Sequence, residues 1–269
     1  MKFNAIGGLP RAGTTLLCNV LNQNPRFFAS STSCIPATVA STAAFMSAQD
    51  EMKSELACSA VETESRFLMS IRGLVSGWYA AIPEAVVFDK SRAWNQSAAV
   101  LEQLYPEAKL ILVVRDLRDI FASVEKQHRK NPVLSAIGNI GERSVINRAH
   151  LMFAKAGGLI GAPICGIEDI LRCSPKNVLL VKYETFVTDP KQLFKHLYAG
   201  LGEEYYEHNF NDVKSTATEL DSLWLNKFPH DGSGKIQASE DHWSNWIPED
   251  IANWIMQEFE AYNGAFGYV

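Results

Sequence analysis

No run in this 269-residue chain approaches the roughly 20 consecutive apolar residues that a membrane-crossing helix needs. The nearest, LMFAKAGGLIGAPICGI (151–167), is interrupted by Lys155, Pro163 and four glycines, and reads as helix and loop. The opening residues MKFNAIGG lack the apolar core and small-residue cleavage site of a secretory signal. Cysteine is scarce. Cys18, Cys34, Cys58, Cys165 and Cys173 are odd in number and lack metal-type pairing, so reduced thiols and a cytoplasmic location are expected. The histidines show no metal spacing, so no metal site is expected. Positive charge is not in surplus either: a formal net charge of −5 argues against a nucleic-acid partner, yet leaves room for a local basic pocket holding a small anion. There is no internal repeat and no low-complexity tract.

What remains is the composition of an ordinary globular protein, with enough chain for one large α/β domain over residues 1–269. Four apolar, β-branched runs read as buried strands: 3–7 (FNAIG), 85–89 (AVVFD), 108–114 (AKLILVV) and 177–182 (NVLLVK). Helical patterns lie between and after them, at 14–23, 60–80, 92–105, 117–129, 142–158 and 190–200. A last amphipathic helix runs from Pro248 to about Tyr262. Alternation of strand and helix predicts a three-layer α/β fold, a parallel sheet with helices on both faces, and the phosphate-loop glycine spacing from Gly8 to Gly13 makes it P-loop nucleoside-triphosphate-hydrolase-like. Such sheets bind ligands at the carboxyl ends of their strands. The Ser/Thr/Ala-rich segment 27–45 reads as a mobile loop or lid.

The first strand runs into GGLPRAGTTLL (7–17), which has the glycine spacing of a phosphate loop from Gly8 to Gly13. Thr14 stands where a triphosphatase loop would carry lysine. Converging backbone N–H groups and a helix N-terminus make an anion cradle, Thr14 and Thr15 add hydroxyls, and Arg11 can supply the missing cation. A plain strand-to-helix turn is the alternative. The second segment is LILVVRDLRDIFASV (110–124), where a strand ends in Arg115 and Ser123 follows on the next helix. An arginine at a strand tip can fork onto a phosphate. On spacing alone, an ion pair of Arg115 with Asp116 or Asp119, with Ser123 a packing residue, stays equally open.

Together the two segments resemble the sulfotransferase family, whose members use 3′-phosphoadenosine 5′-phosphosulfate as donor. Pro10-Arg11-Ala12-Gly13-Thr14-Thr15 matches the family's first signature, in the arginine form similar to tyrosylprotein and many bacterial sulfotransferases. Arg115 and Ser123 match its second. The resemblance covers residues 1–25 and 83–190. It implies that Arg11, Ala12, Gly13, Thr14 and Thr15 hold the 5′-phosphosulfate end and that Arg115 and Ser123 hold the 3′-phosphate. It further implies that Lys90, after the second buried strand, neutralises the leaving oxygen together with Arg11. A surface lysine paired with Asp89 or Glu84 is the other reading of Lys90. Tyr183, in a stretch similar to the family's Tyr-Glu-x-Leu-x-x-x-Pro, can bond the nucleotide or line the acceptor cleft, and a capping role for Glu184 and Thr188-Asp189 is the plainer alternative. Lys235, in HDGSGKIQASEDHW (230–243), can cover the 3′-phosphate as a loop lid, and a mobile, solvated surface loop is the equally open alternative.

The expected activity is transfer of a sulfuryl group to a hydroxyl or amine of a small molecule or peptide, without metal, leaving adenosine 3′,5′-bisphosphate. A Mg-ATP kinase using Asp89, and a non-catalytic nucleotide-binding protein, are the rival readings. The family's general base has no counterpart: KSRAWNQ contains no histidine and FFASSTSC no acid. Asp89, Asp50, Glu51, His230 and His242 are the candidates. Leu16 stands where cytosolic members carry a tryptophan for the adenine, with Trp224 and Phe228 as weak substitutes. An acceptor cleft is expected between 27–60, 60–80 and 142–160, with Phe45, Met46, Phe67, Met69 and Trp78 hinting at an apolar acceptor or serving as core.

Overall fold

The structure, a computed structural model, describes residues 1–130, 144–173, 176–217, 219, 221, 232–239 and 241–268. The first half runs β1 (Lys2–Gly8), α1 (Thr14–Leu21), β2 (Phe27–Thr32), α2 (Ile35–Ala48), α3 (Asp50–Cys58), α4 (Ala60–Trp78), β3 (Val86–Lys90) and a 3-10 turn at Arg92–Gln96. Then come α5 (Ala98–Leu104), β4 (Leu110–Val114) and α6 (Leu117–Lys130). Helices Val145–Phe153 and Gly161–Cys173 precede β5 (Val178–Lys182). Helices Tyr183–Thr188, Pro190–Leu201, Glu249–Glu258 and Glu260–Phe266 complete the chain.

All five strands are parallel, in the order β2-β3-β1-β4-β5. The apolar runs are what place β3, β1 and β4 inside: every residue of β3 and β4 is buried, as are Phe3, Ala5 and Ile6 of β1. β5 is an edge strand, and its Leu180 is 47% exposed, so a continuous apolar run does not mean burial on both faces here. From β1 the chain first crosses to the β2–β3 side and later to the β4–β5 side. Right-handed crossovers in opposite directions put helices on opposite faces. In register, Ile6 faces Lys90, Gly8 faces Val113, and Val114 faces Lys182, so the strands' carboxyl ends share one rim.

The segment 27–45, expected as a loop or lid, is instead β2 and most of α2. FFASST carries too few large apolar residues to announce a strand. It forms one because an edge position needs a single partner, β3, and residues 27–29 take it. Two other expected helices are broken: 92–105 at Ser97, and the C-terminal one at Phe259, whose buried ring sits between two separate helices.

Across α6 and the Val145–Phe153 helix, Arg148 donates from Nε and Nη2 to the two carboxylate oxygens of Glu125, at 2.6 Å each. Both side chains are buried. Glu125→Ala should destabilise the protein by about 3–5 kcal/mol in chemical denaturation, because it removes both carboxylate acceptors from a buried guanidinium. A double replacement by leucine and methionine should restore most of that loss.

Near the β2 edge, Asn24 Nδ2 donates to the Tyr198 hydroxyl, which lies 3.0 Å from His208 Nε2. Burial pushes the His208 imidazole down from 6.5 to about 4. Between those values the unfolded chain binds a proton that the folded one refuses. Stability is therefore lost as pH falls through that window, by roughly 2–3 kcal/mol. Urea titrations from pH 7 to 4 should show this loss, and His208→Gln should flatten that part of the profile.

Candidate functional site

β1 ends at Gly8, where φ is +139° and an added Cβ would lie 2.4 Å from the Val113 carbonyl oxygen. Only glycine allows β4 to approach this closely. On the other side the Asn95 carboxamide accepts from Gly8 N at 2.8 Å and donates to Gly8 O at 3.0 Å. The loop then folds through Arg11, the one described non-glycine residue with positive φ (60°), and Gly13, at φ +88°. Gly13 begins α1 with no side-chain cap, which leaves first-turn N–H groups facing the loop's concavity. Ala12 is buried, Thr14 is half-buried at the first helical position, and Thr15 is buried.

The two sequence segments meet. Arg11 Nε donates to Ser123 Oγ at 3.2 Å, and Arg115 Nη1 donates to the Arg11 carbonyl at 2.8 Å. The Arg115 guanidinium lies 4.1 Å from the centroid of the Tyr183 ring, and that ring closes against Gly13, where a Cβ would be 2.9 Å away. Asp116 is taken by Arg118, which grips its carboxylate at 2.7–3.2 Å, so the Asp116 pairing open for Arg115 from sequence is not formed. Arg115 Nε is buried without a hydrogen-bond partner. Tyr183 starts a short helix, and Asp189 caps the next by accepting from Gln192 N at 3.1 Å. Glu184 does not cap; it accepts from Asp116 N at 3.1 Å and from the Tyr268 hydroxyl at 3.0 Å.

Lys90 lies on the other side of the loop. It is buried, and its Nζ donates to Thr15 Oγ1 at 3.0 Å and to the carboxylate of Glu219. Glu219 is itself fixed by Thr32, whose N–H and hydroxyl both reach Oε1 at 3.1 Å. Asp89, next in sequence to Lys90, does not pair with it. Its Oδ1 accepts from Ser33 Oγ at 2.7 Å and Trp94 Nε1 at 2.6 Å, and its Oδ2 accepts from the Tyr79 hydroxyl. Burial raises the Asp89 carboxyl above its ordinary range, against the pull of these three donors. Burial likewise pushes the Cys18 thiol, on α1, up to about 12, so it is no thiolate nucleophile near neutral pH.

The other candidates stand apart. Asp50 and Glu51 are exposed on α3, with Asp50 paired to Lys53, and His242 lies 2.8 Å from Ser244 Oγ in an exposed turn. Lys235 is exposed, beside Gly234, whose backbone pairs with Val213. His230, Trp224 and Phe228 lie outside the described residues. Met46 and Phe67 pack against the core and Leu16 is half-buried there, whereas Phe45, Met69 and Trp78 are exposed.

Three site residues escape a reading of the sequence. Glu219 sits in ATELD, which has no pattern, and reaches Lys90 across 129 positions. Asn95 follows β3 in a turn. Asn19 shares a helical face with Thr15, four positions before it, the one signal a periodicity argument could use. From α1, Asn19 donates to Gly232 O at 2.7 Å and accepts from Thr216 N at 2.9 Å and Ala217 N at 2.8 Å. It thereby staples the segment bearing Glu219 to the loop helix. Asn19→Ala should speed amide hydrogen exchange at Thr216 and Ala217 at least tenfold, while exchange in β1 and β4 stays unchanged.

The fold and rim define an α/β protein with a glycine-bracketed loop between its central strand and the first helix. The family model described as Sulfotransferase family matches residues 5–207, and the chain belongs to that family: it is a sulfotransferase. Among curated proteins none matches. Solved structures share the fold. Mouse sulfotransferase SULT7A1 complexed with PAP aligns with a TM-score of 0.55 at 16% identity, covering 96% of this chain and 82% of that one. The sulfotransferase domain of the Synechococcus PCC 7002 olefin synthase aligns at 0.54 and 17%, covering 96% and 94%. The sulfotransferase domain from the curacin biosynthetic pathway aligns at 0.51 and 13%, covering 100% and 99%.

Proposed function

We propose that the chain, as one domain over residues 1–269, transfers a sulfuryl group from 3′-phosphoadenosine 5′-phosphosulfate to a hydroxyl or amine by in-line displacement without metal. The observation that carries the reading is the buried, unpartnered Nε of Arg115 beside Arg11, Ser123 and Tyr183. A buried guanidinium N–H calls for an acceptor, and a phosphate oxygen is a strong one. Arg115 follows β4 and Lys90 ends β3, on opposite sides of β1, and on this reading each serves its own anion position. A nucleotide with phosphates on both 3′ and 5′ carbons suits that better than a linear triphosphate. The mouse structure holding PAP is consonant with this class of ligand.

The donor, when bound, supplies an activated sulfuryl–phosphate bond. On this reading the loop from Arg11 to Thr15 takes the 5′ end through backbone N–H groups and threonine hydroxyls, while Arg115 and Ser123 take the 3′-phosphate. Tyr183 supports Arg115 through its ring face. Arg11 and Lys90 supply positive charge where the leaving oxygen becomes negative, and their fixed positions spare the cost of reorganisation during transfer. Lys235 would cover the 3′-phosphate. The acceptor is a small molecule or peptide, and the working location is the cytoplasm. A Mg-ATP kinase is disfavoured by Asp89, whose two oxygens already accept from Ser33, Trp94 and Tyr79.

Calorimetric titration with adenosine 3′,5′-bisphosphate should show binding that is the same with and without Mg²⁺, and at least thirtyfold weaker for Arg115→Ala. Binding that requires Mg²⁺, or an Arg115→Ala protein that binds as tightly as wild type, would rule the donor assignment out.

A further inference from the structure

We infer that Glu219 is the resident anion of the donor cradle, and that its displacement from Lys90 sets the affinity for the donor. The inference rests on the nucleotide reading above. The side chains of Lys90 and Glu219 are only 6% and 11% exposed. A buried ammonium without a counter-anion is strongly unfavourable, and here the carboxylate of Glu219 fills that need. Lys90 Nζ also touches Thr15 Oγ1, at 3.0 Å, so the lysine and the last residue of the phosphate loop form one patch. A phosphate seated on that patch lies next to the carboxylate. Two anions in so poorly hydrated a place repel, and the donor end must take Glu219's place rather than join it.

The arrangement also explains how the carboxylate is held. Thr32 gives Glu219 two donors from the end of β2, its N–H and its hydroxyl. No other described residue that accepts from Lys90 Nζ is an acid. The pair thus draws on β3 for Lys90, on the end of β2 for Thr32 and on Glu219, 129 positions beyond Lys90. A small anion lacking the second foothold at Arg115 has little with which to dislodge it, whereas a nucleotide anchored there has. Glu219 therefore favours the bisphosphorylated ligand over simple anions.

The test is calorimetric and needs no acceptor. Glu219→Gln keeps the shape and removes the charge, and it should bind adenosine 3′,5′-bisphosphate at least tenfold more tightly than wild type. Adenosine 3′-phosphate, which has nothing to place beside Lys90, should change less than twofold in competition titrations. Thr32→Val removes one of the donors that hold the carboxylate and should give a smaller tightening, about two- to fivefold. Unchanged or weaker binding of the bisphosphate by Glu219→Gln overturns the inference, as does equal tightening toward both nucleotides. Should that variant fail to fold, unchanged affinity in Thr32→Val overturns it instead. Binding by Glu219→Gln where wild type shows none supports it. If neither protein binds the bisphosphate, the nucleotide reading falls and the inference falls with it.

Discussion

The paired hydrogen bonds between the Asn95 carboxamide and the Gly8 backbone fix where the central strand stops and the loop begins. Up to Ile6, β1 is held by β3, which then turns away as Ser91 N donates to Ile6 O. Asn95 takes over that edge two residues later, while Leu9 N donates to Val113 O on the other. With both edges occupied, the chain leaves the sheet from a fixed point and in a fixed direction. The left-handed turn at Arg11 costs about 1 kcal/mol, and it persists because its surroundings leave no alternative. Its carbonyl is held by Arg115 and its side chain by Ser123. Loosening Gly8 would therefore disturb the contacts of β4 and α6 as well as the loop.

A second constraint is the alternation of side chains along β3. Asp89 and Lys90 are neighbours in sequence, and strand geometry sends them to opposite faces. Asp89 meets Ser33, Tyr79 and Trp94, while Lys90 meets α1 at Thr15. The acid cannot quench the base beside it, and each must find its own partners in the interior. Asp89 finds three neutral donors, and one of them, Trp94, ties it to the 3-10 turn that carries Asn95. Lys90 finds a hydroxyl and one distant acid. An acid and an ammonium one residue apart are thus both satisfied in the interior, and neither by the other.

The parts of this design that are local in sequence were legible in it. The glycines of the loop, the β-branched runs of β1, β3 and β4, and Arg115 at a strand tip each carry their reason in their immediate neighbours, and the family resemblance of those segments agrees with the family model. The parts that depend on distant contacts were not. FFASST became a strand because a free sheet edge was available to it. Lys90 was placed at the rim by the strand that precedes it, yet its partner Glu219 comes from a stretch without periodicity or motif. The pairing of Arg115 with Asp116, left open beside the phosphate role, is not formed, for a reason visible only in three dimensions: Arg118, two residues on, presents its guanidinium to the same carboxylate.

The loop without its lysine gains a physical meaning from these contacts. A lysine at position 14 would extend from the first turn of α1, on the same element as the N–H groups that hold an anion, and would concentrate all the charge in one place. Here the charge arrives from three elements: Arg11 within the loop, Lys90 from β3 and Arg115 from β4. Since β3 and β4 flank β1, their ends stand about 10 Å apart, twice the spacing of neighbouring strands. Under the proposed reading, cations that enter from opposite sides of β1 suit a ligand that carries anions at both of its ends. The spacing of the strands from which Lys90 and Arg115 extend is set by backbone hydrogen bonding. Under the proposed reading, selectivity for a bisphosphorylated nucleotide follows from which strands lie next to β1.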